Sequence, residues 1–380
     1  MTTWSVVKDD TREKRWHGLF PRRLSLIALL ACLALVVFGL GVAVAPRQAV
    51  EAPEPPFSEQ ARAAALANTL RLRDAGGRLG RAAAGTEEPA ADTLPDAQQS
   101  AVDETVRLLT TQARALLAPG GGAARTPLSG TSTPIPPTNA EDATGSAAGL
   151  AAALAESGGQ RLADAAASDG GIARLLAAVG TAQLLQSASL AAADGAAAPP
   201  QAVPHAPQPS ETCPPGSPTP SSTAAPEADE GTGNPSLQAG LAATVRTEAA
   251  TVYAYQVALT RLEGDAARSA SGYLAQHEAL LRTSESLSRA LCSPVPPREA
   301  GYTLAPGFLD APAPGLGVLE TTMLPGYGDV IALSTGETRQ WAIAALLETA
   351  RRAVSWGADA GALPGVAADP ATFPSLPAQP

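Results

Sequence analysis

SLQAGLAATVRTEAATVYAYQVALTRLEGDAARSASGYLAQHEALLRTSESLSRAL, residues 236–291, decides how the chain folds. Ser236 precedes Leu237, Leu241, Val245, Glu248, Val252, Tyr255, Leu259 and Leu262, a series advancing by fours and threes that marks one helical face. A Ser at that position caps the first turn by accepting from a backbone N–H. Gly264-Asp265 reads as a tight turn into a second helix, with Ala266, Ala270, Leu274, His277, Leu281, Ser284, Leu287 or Ser288, and Leu291 facing inward. Glu248 and His277 both sit among apolar neighbours. Counted from the turn, they lie about 24 Å and about 20 Å along antiparallel helices, so the two meet at similar depth. The reading is a buried hydrogen-bonded pair, joined by Tyr253 or Tyr255, which offsets the cost of burying either group alone.

Residues 293–314 (SPVPPREAGYTLAPGFLDAPAP) have no helical period and form a long crossover, so a third helix need not lie beside the second. That helix is expected over about 315–335, interrupted at Pro325-Gly326. A fourth runs from about Glu337 to Ala358 with Ile343, Leu346, Leu347, Ala350 and Val354 inward. Glu320, Glu337 and Glu348 fall at stripe edges and read as solvated charges. Phe373 and Leu376 in the tail are expected to dock on the helices.

The segment EAATVYAY at 248–255, His277-Glu278, the Pro-rich crossover with Tyr302 and the closing Phe373-Pro374 resemble an actinobacterial ferritin-like domain, the domain of unknown function DUF4439. The resemblance covers about 236–376 and implies a ferritin-like four-helix bundle, often secreted or membrane-attached. A dinuclear metal centre on such a bundle takes a Glu from each of two helices and a Glu-x-x-His from each of the others. Here the residue three before His277 is Leu274, and the fourth helix carries Glu337 and Glu348 without a His. An intact dinuclear site is therefore not expected. The alternative is a single divalent ion held by Glu248 and His277, with Glu278 as a third ligand. Glu278 points about 100° away from His277 around the helix and reads as surface.

Toward the N-terminus, every residue of Leu24–Ala45 except Ser25 is apolar, Ala or Gly apart from Cys32, and about 22 residues span roughly 33 Å, enough for a bilayer core. Lys8, Arg12, Lys14, Arg15, Arg22 and Arg23 precede it, so the tail 1–23 is read as cytoplasmic and the body as extracytoplasmic, in the cell envelope. Three rival readings keep the body outside. Ala43-Val44-Ala45 has the form of a signal-peptide cleavage site, though Pro46 follows it poorly. Leu29-Leu30-Ala31-Cys32 looks like a lipidation box, though the apolar run continues beyond it. Arg22-Arg23 only partly fits twin-arginine export.

Residues 46–56 form a Pro-rich stalk. Residues 57–195 read as a loose Ala-rich helical region, with Ser58 capping a helix over 59–73 and further helices near 96–117, 145–156 and 171–193. Ala buries little area, so this region is expected to be weakly held. Residues 196–235, rich in Pro, Ser and Thr, have the composition of a disordered linker and are read as a domain boundary. The fold class is thus all-α.

A net charge of −10 argues against a nucleic-acid partner. Nucleotide-loop, Cys-x-x-Cys and serine-hydrolase motifs are absent, so no catalytic residue is assigned and no cofactor beyond that ion is expected. Cys213 and Cys292 are a candidate disulfide on the oxidising side of the membrane. The expected partners are the membrane, an unidentified protein or small molecule, or a second copy of the chain. A small-molecule bundle would have Trp341 or Trp356 lining an apolar pocket between helices.

Overall fold

The computed structural model describes residues 29–34, 54–84, 96–117, 144–201 and 235–377. Of the expected span, only 29–34 fall within that set; they are helical and exposed, and the rest of Leu24–Ala45 lies outside the described residues. The linker 196–235 lies largely outside them too.

Residues from Pro55 onward form one unit. Its helices are α1 (Phe57–Ala84), α2 (Asp96–Leu116), α3 (Ala147–Ala167), α4 (Gly170–Ala193), α5 (Leu237–Ala258), α6 (Gly264–Ala290), α7 (Pro312–Leu333) and α8 (Gly336–Ser355), with no strand among the described residues. The all-α expectation holds. Ser236 caps α5 as read, its hydroxyl accepting from the Ala239 N–H at 3.2 Å. In the C-terminal bundle α5 packs on α6 and α7, and α8 on α7 and α6. Two helical hairpins are thus joined by the long crossover.

The N-terminal helices repeat that order. α1 packs on α2, α3 on α4, α1 on α3 and α2 on α4, again two hairpins joined by a long connection. Each half turns its last hairpin on a buried Ser followed two residues later by a positive-φ Gly: Ser168 with Gly170, and Ser334 with Gly336. Buried Arg339 donates to the carbonyls of both serines, and to Ile331 O at 3.1 Å. One side chain thereby ties the two turns together.

The described helices of the region 57–195, expected to be loose, pack against the bundle, α4 on α7 and α3 on α8. One hydrophobic cluster runs from Leu162, Leu176 and Leu184 to Leu324, Ile343 and Leu346, so packing is continuous across the sequence boundary expected at 196–235. Within the N-terminal half, α3 and α4 approach closely through small residues. A Cβ on Gly158 would lie 2.9 Å from Gly180 O, and one on Gly180 2.8 Å from Gly158 O, so α3 and α4 touch backbone to backbone and neighbouring Leu side chains interlock. α4 alone among the described helices is long and apolar enough to cross a membrane, and 72% of its apolar stretch is buried inside the protein, as suits a core helix. Ser58 is not a cap: its hydroxyl donates to Asp169 Oδ2 at 2.8 Å and accepts from the Asp169 N–H, pinning α1 to the α3–α4 turn.

Pro325 does not interrupt α7. Leu324, Tyr327, Val330 and Ile331 are buried on both sides of it, and that packing outweighs the hydrogen bond a proline forfeits. Gly328 is required here, since a Cβ would stand 2.0 Å from Gly365 O. The tail, with Phe373 and Leu376 half-buried, is held by Arg114 of α2, which donates to Phe373 O at 2.7 Å and Pro374 O at 3.1 Å.

Candidate functional site

Glu248 on α5 and His277 on α6 meet as their positions require: His277 Nδ1 lies 2.9 Å from Glu248 Oε2, both fully buried. A third helix completes the centre. His277 Nε2 lies 2.8 Å from Glu320 Oε1 on α7, and Glu320 is fully buried rather than solvated as its stripe-edge position suggested. The fourth helix supplies Arg352, whose Nε donates to Glu320 Oε1 and Oε2 at 3.1 and 3.2 Å. Its other nitrogens reach Thr349 Oγ1 at 2.9 Å and Gln276 Oε1 at 3.2 Å.

Two tyrosines close the network. Tyr255 donates to Glu320 Oε1 at 2.5 Å and accepts from Trp356 Nε1 at 2.9 Å, while Tyr327 donates to Glu248 Oε1. Tyr255 is thus the joining ring, on Glu320 rather than between the expected pair. Tyr253 instead packs against Tyr302 with its ring tilted by 54°. Glu278 is half-buried and stands outside the network, Glu337 is exposed, and Glu348 pairs with Arg351 at 2.6 Å. Trp341 packs on Tyr327, and Trp356 on Tyr255 and Tyr273, so both indoles serve packing.

The electrostatics follow from these contacts. Burial disfavours charge on His277, but hydrogen bonds to Glu248 and Glu320 outweigh it and raise the imidazole above its ordinary value. Burial likewise opposes ionisation of Glu320, yet His277 and Arg352 together lower its pKa. Burial, then Glu320, raises the Tyr255 phenol, and burial, then Glu248, raises that of Tyr327, so both remain donors. Arg352 is held charged: Glu320 outweighs its desolvation. With a carboxylate facing each ring nitrogen, these contacts favour the imidazolium form of His277. In that form two anions and two cations sum to zero inside the bundle.

These residues do not fit a metal ion. Both imidazole nitrogens are engaged by carboxylate oxygens, the inward carboxylate oxygens are engaged by N–H or O–H groups, and a fixed guanidinium stands where a fourth helix would offer a carboxylate. Among the described residues, no group of three or more His, Cys, Asp or Glu is arranged to hold one. Of the candidate disulfide, Cys292 is disulfide-bonded, and Cys213 lies outside the described residues.

Site and fold together define a four-helix bundle with a self-neutralised ionic core. Residues 240–368, which contain the whole centre, match the model of a family described as a domain of unknown function, DUF4439. No curated protein and no solved structure matches the chain.

Proposed function

We propose that this is a membrane-anchored, extracytoplasmic helical protein of the cell envelope whose C-terminal bundle acts as a binding or structural module rather than as a metal-dependent enzyme. The observation that carries this reading is Arg352. A permanent cation on α8 and an imidazolium on α6 supply the positive charge that two buried carboxylates need, so the bundle interior is complete without an ion. The apolar run at 24–45 with its basic flank supports the anchor and its direction.

Metal retention by the purified full chain tests the reading. After incubation with iron, manganese or zinc and exhaustive dialysis, elemental analysis is expected to find no stoichiometric metal. One equivalent retained by the native chain and lost in His277→Ala would instead establish a metal protein. Protease digestion of intact cells tests the topology: the body is expected to be cleaved, and full protection would overturn the extracytoplasmic placement.

A further inference from the structure

We propose that the end of α2 around Arg114 is a docking site for a proline-containing peptide in the polyproline II form, with the chain's own segment 373–377 as its resident occupant. Half-buried Arg114 turns Nε and Nη2, the two donors on one edge of its guanidinium, to consecutive main-chain carbonyls. Nη2 donates to Phe373 O at 2.7 Å and Nε to Pro374 O at 3.1 Å. That contact reads backbone shape and no side chain. Phe373 sits at φ −70° and ψ 145°, the polyproline II region, and Pro374-Ser375-Leu376-Pro377 has its prolines at the P-x-x-P spacing. A polyproline II segment makes no hydrogen bonds of its own, so its carbonyls are free to accept from such a fork, and little entropy is lost in ordering it.

The occupant is lightly held at its end and firmly held at its root. From Ala367 to Pro377 every residue is exposed except Phe373 and Leu376. Upstream, Pro364 and Gly365 are buried, Arg174 Nε donates to Gly365 O at 2.6 Å, and Gln112 Nε2 donates to Ala362 O at 3.1 Å. Between root and end lies the short 3-10 turn Pro370–Thr372, whose Ala371 N–H donates to Asp369 Oδ1 at 2.9 Å. The fixed root keeps a released end within reach of Arg114, so the chain's own segment competes with any peptide that docks there. This site lies apart from the ionic centre of α5–α8 and does not depend on how that centre is read.

Fluorescence anisotropy with the labelled peptide DPATFPSLPAQP, residues 369–380, tests it. Three forms are compared: the native full chain, the full chain with Pro374→Ala/Pro377→Ala, and the chain ended at Ala368, where the segment matched by the family also ends. The two opened forms are expected to bind the peptide saturably and about tenfold more tightly than the native chain, whose own segment competes. Arg114→Ala added to either opened form is expected to weaken binding about tenfold, the loss of a hydrogen bond to a charged group. Both prolines are exposed, so the full-length variant keeps the test open should the shortened chain not fold. No saturable binding by an opened form that folds, or an affinity that Arg114→Ala leaves unchanged, would overturn the proposal.

Discussion

Arg352 Nε lies 3.1 Å from Oε1 and 3.2 Å from Oε2 of Glu320, and neither side chain sees solvent. The two residues come from adjacent helices of the bundle, and between them they set the charge balance of its interior.

Arg352→Met removes one cation and leaves Glu320 with a single buried positive partner. Urea unfolding is expected to show a loss of about 3–5 kcal/mol, the cost of an uncompensated buried charge. Adding Glu320→Gln should recover part of it. A loss below about 1 kcal/mol in the single variant would mean that the ion pair does not hold the core together.

Stability should depend on pH in a defined window. The raised His277 pKa contributes stability that is complete below its ordinary value of 6.5 and fades as pH rises through the folded value. The lowered Glu320 pKa contributes stability that is complete above 4.5 and fades as pH falls through its folded value. Thermal midpoints are therefore expected to be highest between those limits and to fall on the alkaline side. His277→Gln should flatten the alkaline limb; an unchanged limb would place the titration elsewhere.

Gly158→Ala and Gly180→Ala should each destabilise the N-terminal half by about 1–3 kcal/mol, because the new methyl group meets backbone that has nowhere to move. Gly171→Ala is the internal control, with open space around its Cβ, and is expected to be neutral or slightly stabilising. Equal midpoints for all three variants would show that α3 and α4 are not in backbone contact.

Cys292 is disulfide-bonded, and pairing with Cys213 predicts that thiol labelling of the unreduced chain modifies Cys32 alone. Reduction should lower stability by about 4 kcal/mol in a loop-entropy model. Labelling of Cys213 in unreduced protein would exclude the pairing.

The helices and the meeting of Glu248 with His277 were legible because periodicity reports a buried face and distance from a turn reports depth. Glu320 was hidden by the expected break at Pro325-Gly326. With α7 unbroken, Leu316, Glu320, Leu324, Tyr327 and Ile331 form one inward row, and Glu320 lies in the middle of it. Arg352, next to Arg351 near a helix end, reads as surface charge. Only its spacing from Trp341, Ala345 and Thr349 places it inside. The tight packing of the helices at 147–193 is not legible in the sequence because hydrophobic area per residue is low in Ala-rich helices, whereas the stabilising feature is backbone approach at Gly158 and Gly180. No local pattern encodes which glycines face each other.

The protonation of His277 tests the central claim most directly. The chain has only three histidines, so nitrogen NMR of histidine-labelled protein can resolve the buried ring. With its charge shared between Glu248 and Glu320, both ring nitrogens are predicted to carry protons at neutral pH and to stay protonated above the ordinary histidine range. A neutral ring with one bare nitrogen would contradict the account, because the bundle interior would then carry a net negative charge and an open position for a cation.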